Sequence, residues 1–140
     1  MTIHAAAAFA GTWHLLPEQC DYHLGRAPRA GHYRLACADD GALSIASEWL
    51  GRNGKRHRAA FDGRADGTPY PYHDTPHADA LSFESVSPTQ LHSTTWRDGQ
   101  EVQWSERELV DADTLVIRMR GHLSDGRSYT NVGVFRRQDS

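Results

Sequence analysis

Histidine is the reactive residue type that this chain uses most heavily, with nine in 140 residues. Imidazole ligates metals and exchanges protons near neutral pH. His73 and His77 have the spacing of a helical zinc pair. Asp74 and Asp79 could complete a site, but Pro76 interrupts any regular helix there. We therefore expect no metal ion.

Nucleophilic chemistry has no recognisable motif. The sequence contains no nucleophile elbow, Ser/His/Asp arrangement, phosphate loop or paired-carboxylate motif. Cys20 and Cys37 lack any spacing that implies thiol activation or a disulfide framework. We expect both thiols to be reduced and the catalytic residues, if there are any, to be acid–base groups such as His57, His92, Glu106 or Tyr129.

Glu101–Leu109 is a run without a clean apolar face. Its alternate positions hold Val102, Trp104, Glu106 and Glu108 on one side, and Gln103, Ser105, Arg107 and Leu109 on the other. Such a strand lines a wet cavity or lies against one. If Arg107 points inward, its guanidinium fits a ligand carboxylate. The alternative is a surface Arg107 paired with Glu106 or Glu108. Both remain open.

Two other runs show which side chains face an interior. In Leu115–His122 the apolar set includes Ile117 and Met119, and in Ala42–Leu50 the alternation places Trp49 with Leu43 and Ile45. These side chains, with Trp104, would supply apolar contact. In the run that ends at Arg137, Tyr129 and Asn131 share a face and could orient a polar ligand group, although Val132 and Val134 could face inward instead.

The segment 66–77 is rich in proline and cannot be a central strand. It carries Tyr70 and Tyr72, which the prolines hold rigidly, so it is a candidate gate at the rim of a barrel. The alternative is a loop whose tyrosines cover a gap between strands. Residues 17–28 form a second irregular segment, which is either a short helix or lid over one mouth or an ordered connecting loop.

The elements that must position these residues are short strands separated by turn signals. Asp39-Asp40-Gly41, Arg52-Asn53-Gly54, Arg97-Asp98-Gly99, Asp111-Ala112-Asp113 and Ser124-Asp125-Gly126 divide the strand-like runs. Strands joined by hairpins predict an antiparallel meander, and eight to ten of them are expected to curl and close. The sequence thus predicts one all-β domain over 1–140, a closed antiparallel up-and-down β-barrel.

Gly11-Thr12-Trp13 is the predicted seal of this barrel. If the first strand pairs with the last, the guanidinium of Arg136 or Arg137 can lie on the face of the Trp13 indole. This arrangement resembles the Gly-x-Trp signature of the lipocalin and fatty-acid-binding (calycin) superfamily. Two further stretches resemble the small bacterial lipocalin-like proteins, a group of mostly unassigned function. They are Phe61-Asp62-Gly63 with Tyr70-Pro71 and Pro76-His77-Ala78-Asp79, and the run from Ser124 to Val132.

The resemblance implies a barrel that binds a small hydrophobic or amphipathic molecule inside. Fatty-acid-binding barrels orient ligands with interior arginine and tyrosine, to which Arg107 and Tyr129 correspond in role. Some barrels of the superfamily bind haem through one histidine, but His57, His92 and His122 lie in no haem motif, so no cofactor is expected. The candidate ligand-binding residues are Trp49, His57, Tyr70, Tyr72, His92, Trp104, Arg107, Ile117, Met119, Tyr129 and Asn131.

Two other functions remain open: a cofactor-free barrel enzyme of cyclase or isomerase type acting on a small hydrophobic metabolite, and an interaction module with a filled interior. The formal net charge of −3, with both signs interspersed, predicts no nucleic-acid partner. No apolar run approaches the ~20 residues that span a bilayer, and no export signal is recognisable. We therefore expect a cytoplasmic monomer or homodimer without a membrane partner.

Overall fold

The computed structural model describes residues 5–75, 77–123 and 125–138, so the expectations that involve His4, Pro76 and Ser124 lie outside the described residues. Two short 3-10 helices span Ala5–Phe9 and Pro17–Gln19. The strands are β1 (Gly11–Leu15), β2 (Asp21–Tyr22), β3 (Ala30–Cys37), β4 (Ala42–Leu50), β5 (Arg56–Arg64), β6 (Tyr70–Pro71), β7 (Ala80–Ser87), β8 (Gln90–Arg97), β9 (Gln100–Asp111), β10 (Thr114–His122) and β11 (Ser128–Arg137). Neither helix is long enough or apolar enough to cross a membrane.

The strands form one antiparallel sheet that curls into a nearly closed barrel. Its order is β5-β4-β3-β1-β11-β10-β9-β8-β7-β6, and β2 pairs with β11. The predicted all-β meander is confirmed, including the pairing of β1 with β11, in which Trp13 lies opposite Arg137. This pairing joins the first and last strands of the chain within the sheet, because β1 also pairs with β3 on its other side.

Turn residues set the hairpins as the sequence predicted. Asp98 (φ 51°) and Gly99 (φ 78°) both adopt the left-handed conformation between β8 and β9, which is the geometry of a tight two-residue hairpin. The sequence analysis did not recognise β7, which follows the proline-rich segment and joins β8 through Pro88 and Thr89.

The end of the barrel near Trp13 is sealed. The Trp13 side chain is completely buried, and the Arg137 guanidinium lies 4.3 Å from the centre of its ring. Arg137 also donates hydrogen bonds to the carbonyl oxygens of Ala8, Ala10 and Ala112. The predicted cation–π contact is therefore confirmed at Arg137.

A feature of the seal that the sequence did not predict is the first 3-10 helix. It packs against β3 and β7, and it buries Ala6 and Phe9 completely. The Trp13 Nε1 donates to the Phe9 carbonyl oxygen over 3.0 Å, so the indole ties this helix to the barrel. Gly11 has a φ of +134°, and a Cβ there would lie 2.8 Å from an Arg137 nitrogen. Both facts explain why glycine precedes this tryptophan.

The remaining seam lies between β5 and β7, which form no ladder with each other. The short β6 pairs with β7, and the Tyr70 and Tyr72 rings pack edge-on against Phe61 of β5. A Cβ on Gly63 would lie 2.9 Å from the Tyr70 ring, so glycine at this position admits the ring. The proline-rich segment thus covers a gap between strands, which was the alternative to a gate at the rim.

Candidate functional site

A cavity of about 400 Å³ occupies the barrel at the end away from the Trp13 seal, and it is open to solvent. Strand alternation directs side chains from β1, β3, β4, β9, β10 and β11 into it. Its apolar wall consists of Leu15, Tyr33, Trp49, Ile117, Met119 and Phe135. The interior is therefore not filled, which argues against the interaction module with a packed barrel.

Arg107 is the charged side chain at the inner end of this cavity. Arg107 pairs across the sheet with Ile117 of β10. The next inward-facing pair towards the mouth is Ser105 with Met119. Its guanidinium carbon is 5.2 Å from the centre of the Phe83 ring and 6.0 Å from that of Tyr33. One terminal nitrogen donates to Ser93 Oγ over 3.4 Å. The Nε is buried and has no hydrogen-bond partner among the described residues.

The inward orientation of Arg107 follows from the pairing of its acidic neighbours. Glu106 and Glu108 lie on the outer face of β9. Arg120 of β10 forms an ion pair with Glu106, and Arg118 forms one with Glu108, each with a nitrogen–oxygen distance of 3.0 Å. None of the ion pairs formed by the described residues involves Arg107. Of the two alternatives that the sequence left open, the structure adopts the interior arginine, whose guanidinium faces the cavity.

Tyr33 of β3 completes the polar group at this depth, and the sequence analysis did not identify it. Burial raises the pKa of Tyr33 to about 12, although the charges of Arg107 and Arg137 act in the opposite direction. Its hydroxyl makes no hydrogen bond of standard geometry with the described residues. A neutral hydroxyl and a guanidinium thus both face one position in the cavity.

The mouth of the cavity is crossed by a segment that we call the strap, residues 20–29. The strap contributes Tyr22, Arg26 and Pro28 to the cavity lining. Its β2 strand pairs with β11, and Arg52 Nε donates to the Ala27 carbonyl oxygen over 2.9 Å. For this part of the chain the sequence left open a lid over one mouth or an ordered connecting loop, and the structure agrees better with the lid.

Asn131 faces the cavity, as predicted, but its amide is engaged with the strap. It accepts a hydrogen bond from the Leu24 backbone nitrogen at 2.9 Å and donates to the Leu24 carbonyl oxygen at 3.1 Å. These two bonds occupy the Asn131 side chain with the strap, and a role for it in orienting a ligand stays a prediction. Tyr129 also faces inward, packed against Gly121, and its hydroxyl accepts a hydrogen bond from Gln103. It does not line the main cavity.

Trp104 and His92 lie on the outer face of the barrel, so the expectation that Trp104 lines the interior is wrong. Trp104 shares that face with Glu106 and packs edge-on against His122 at 5.7 Å. His92 pairs across the sheet with Glu84 and Glu106. Because side chains alternate along a strand, Trp104 and Arg107 cannot both point inward on regular β9.

The other predicted residues divide between the mouth and the side of the barrel. Trp49 lines the cavity, and the exposed His57 stacks on its indole with ring centres 5.3 Å apart. Tyr72 lines a smaller cavity of about 80 Å³ at the β5–β7 seam, which Arg107 also borders. Tyr70 is hydrogen-bonded to Asp66 and lines neither cavity. The structure therefore brings together Trp49, Arg107, Ile117, Met119 and Asn131.

Among the described residues the His14 and His32 rings lie 5.9 Å apart, but no larger group of potential metal ligands forms. Within 5–75, 77–123 and 125–138, no three His, Cys, Asp or Glu side chains come close enough to hold a metal ion. Cys20 and Cys37 are free thiols. Burial raises the pKa of the Cys20 thiol, which argues against an activated nucleophile there.

Comparison with solved structures supports the barrel fold. The fluorescent protein UnaG matches with a TM-score of 0.66 at 17% identity, over 95% of this chain and 99% of that chain. A redesigned β-barrel matches with a TM-score of 0.57 at 14% identity, over 98% of this chain and 97% of that chain. No family model and no curated protein matches the sequence. At these identities the similarity establishes the antiparallel β-barrel fold alone.

Proposed function

We propose that this calycin-type barrel binds a small amphipathic molecule whose acidic group reaches Arg107 and whose apolar body fills the cavity. The observation that carries the proposal is an inward-facing guanidinium whose buried Nε has no hydrogen-bond partner, and which has no carboxylate partner, among the described residues. Burial of an uncompensated charge is costly. An anionic ligand would offset that cost and satisfy the free Arg107 nitrogen.

The cavity has the size and lining of a small-molecule site. Pockets that hold drug-sized ligands range over roughly 300–1,000 Å³ and combine apolar walls with a few polar groups. Here the apolar wall includes Trp49, Ile117, Met119 and Phe135, and the polar groups at the inner end are Arg107 and the Tyr33 hydroxyl. Each CH₂ group that the ligand buries contributes about 0.8 kcal/mol.

Calorimetric titration with decanoate and 1-decanol tests this function, because the two probes share an alkyl chain and differ in charge. Wild type should bind decanoate more tightly than decanol. Arg107→Gln should weaken decanoate binding by about ten-fold or more and leave decanol binding nearly unchanged, since a hydrogen bond to a charged group contributes about 1.5–3 kcal/mol. Thermal midpoints confirm that each variant is folded.

Arg118→Gln is the matched control, because it removes one arginine from the outer face of the neighbouring strand. It should bind decanoate as wild type does. Equal decanoate affinities in wild type and Arg107→Gln would refute the role of Arg107. Failure of both probes to bind wild type would refute the interior-binding function. A cytoplasmic location and membership of the small bacterial lipocalin-like group remain predictions from the sequence, and the cofactor-free enzyme remains the alternative function.

A further inference from the structure

We propose that the ligand carries two acidic groups at opposite ends of an apolar body, and that Arg26 binds the second group at the cavity mouth. The inference rests on the proposed function and specifies its ligand class. Its basis is the presence of two arginines on one cavity: Arg107 at the inner end and Arg26 on the strap.

The strap is anchored on both sides of Arg26. On one side Asn131 holds the Leu24 backbone through two hydrogen bonds. On the other side Arg52 binds the Ala27 carbonyl oxygen, and Arg29 N donates to the Leu50 carbonyl oxygen over 2.9 Å. These contacts attach the strap to β11 and to the β4–β5 hairpin. Arg26 is therefore carried by a segment that spans the mouth, not by a free loop.

The protein does not neutralise Arg26 at this mouth. None of the ion pairs among the described residues involves Arg26. Glu48 is the carboxylate in the cavity lining, and it is already held by Arg58 at 3.0 Å and His32 at 3.6 Å. The Arg26 guanidinium thus remains available to a second anionic group.

The wall between the two arginines determines what must connect the acidic groups. Met119 lies on the strap side of Arg107 and Ile117, because its partner on β11 is Asn131, which holds the strap. A polar linker that passes the Met119 side chain would lose part of its hydration, whereas an apolar body packs against it. A ligand with two acidic groups on an apolar body matches this order of charge, apolar wall and charge, and a monoacid leaves Arg26 unused.

Pairs of monocarboxylates and α,ω-dicarboxylates of equal length provide the test. Octanoate, decanoate, dodecanoate and tetradecanoate are each compared by calorimetry with the dicarboxylate of the same length. Wild type should prefer the dicarboxylate about three- to five-fold at the best-fitting length, because a partly exposed ion pair contributes up to about 1 kcal/mol. Added salt should reduce this preference more than it reduces monocarboxylate affinity, since Arg107 is less exposed than Arg26 and is screened less.

Arg26→Gln should bring the ratio of dicarboxylate to monocarboxylate affinity to about one, because it removes the partner of the second acidic group. Arg34→Gln is the matched control, because it removes an exposed arginine of β3 that does not line the cavity, and it should keep the preference. A preference that survives Arg26→Gln would overturn the assignment.

The two proposals can fail separately. If wild type binds the dicarboxylate and the monocarboxylate with equal affinity at every chain length, the diacid inference is overturned. The proposed function still stands in that case if Arg107→Gln weakens monocarboxylate binding. If wild type binds neither class of acid, both proposals fail.

Discussion

Arg107 and Tyr33 are polar side chains that this barrel keeps at its inner cavity wall. Aromatic rings lie beside the guanidinium, and a cation near a ring face gains about 0.5–2 kcal/mol. This contact offsets part of the cost of burial without using the hydrogen-bonding capacity that a ligand would need. The pair is therefore stable enough to persist in the empty barrel and still available for binding.

The Tyr33 hydroxyl should make the free energy of unfolding depend on pH in the alkaline range. Its folded pKa of about 12 exceeds the ordinary value of 10, so the folded state retains the proton longer than the unfolded state. Stability from this group is complete below about pH 10 and is lost as pH rises towards 12. A pKa difference of two units between the folded and unfolded states corresponds to about 2–3 kcal/mol in the free energy of unfolding. Urea denaturation across this range should show a steeper loss in wild type than in Tyr33→Phe, and parallel curves would contradict the prediction.

The sequence identified Arg107 as a candidate because neither face of its run was apolar, but it could not choose the orientation. Strand periodicity assigns residues to two faces without saying which face is inside. The orientation of Arg107 depends on two arginines of the next strand: Arg118 forms an ion pair with Glu108, and Arg120 forms one with Glu106. The prediction that Trp104 faces the interior was wrong for the same reason. Tyr33 was missed because no face was assigned to the run that contains it.

At the scale of elements, the strap is the part of the site built from long-range contacts. Asn131 and Leu24 are separated by 107 positions, and their double hydrogen bond holds the strap to β11. Turn signals predicted most strand boundaries because they act locally. The function of residues 20–29 could not be read in the same way, because the Asn131 amide and the Arg52 guanidinium that anchor the strap come from other parts of the chain.

Asn131→Ala should loosen the strap without disrupting the barrel. The Leu24 amide should exchange its hydrogen faster, because it donates directly to Asn131 Oδ1. Decanoate should enter and leave the cavity faster in stopped-flow measurements. Two lost hydrogen bonds correspond to about 1–3 kcal/mol of local stability.

Asn53→Ala is the control for the strap, since that side chain caps the Lys55 nitrogen within a hairpin turn. It should leave Leu24 exchange unchanged. Unaltered Leu24 exchange in Asn131→Ala would show that the amide does not hold the strap.

At the scale of the whole molecule, Arg137 joins three separate parts of the barrel. Its guanidinium lies on Trp13 and binds carbonyl oxygens of the first 3-10 helix region and of the β9–β10 turn. The sequence predicted the Trp13–arginine contact, because the superfamily resemblance and the expected strand pairing agreed. It did not predict the helical plug, since Ala5–Phe9 lacks an apolar period long enough to indicate a helix.

Arg137→Gln should destabilise the protein by about 2–4 kcal/mol, because it removes a cation–π contact and several charged hydrogen bonds. Arg136→Gln is the neighbouring control. Its side chain is exposed, so it should change the free energy of unfolding by less than about 0.5 kcal/mol. Guanidinium chloride denaturation measures both. Equal effects of the two substitutions would show that the seal does not depend on the Arg137 guanidinium.

The pairing of β1 with β11 also has a kinetic consequence. Arg137 binds the Ala10 carbonyl oxygen across 127 positions of sequence, so much of the chain must be ordered before the barrel can close. Contacts of such separation have a large loop-closure entropy and slow folding. Until β11 docks, β1 presents an unpaired edge beside an uncovered tryptophan. Any species that accumulates at this stage should aggregate through that edge.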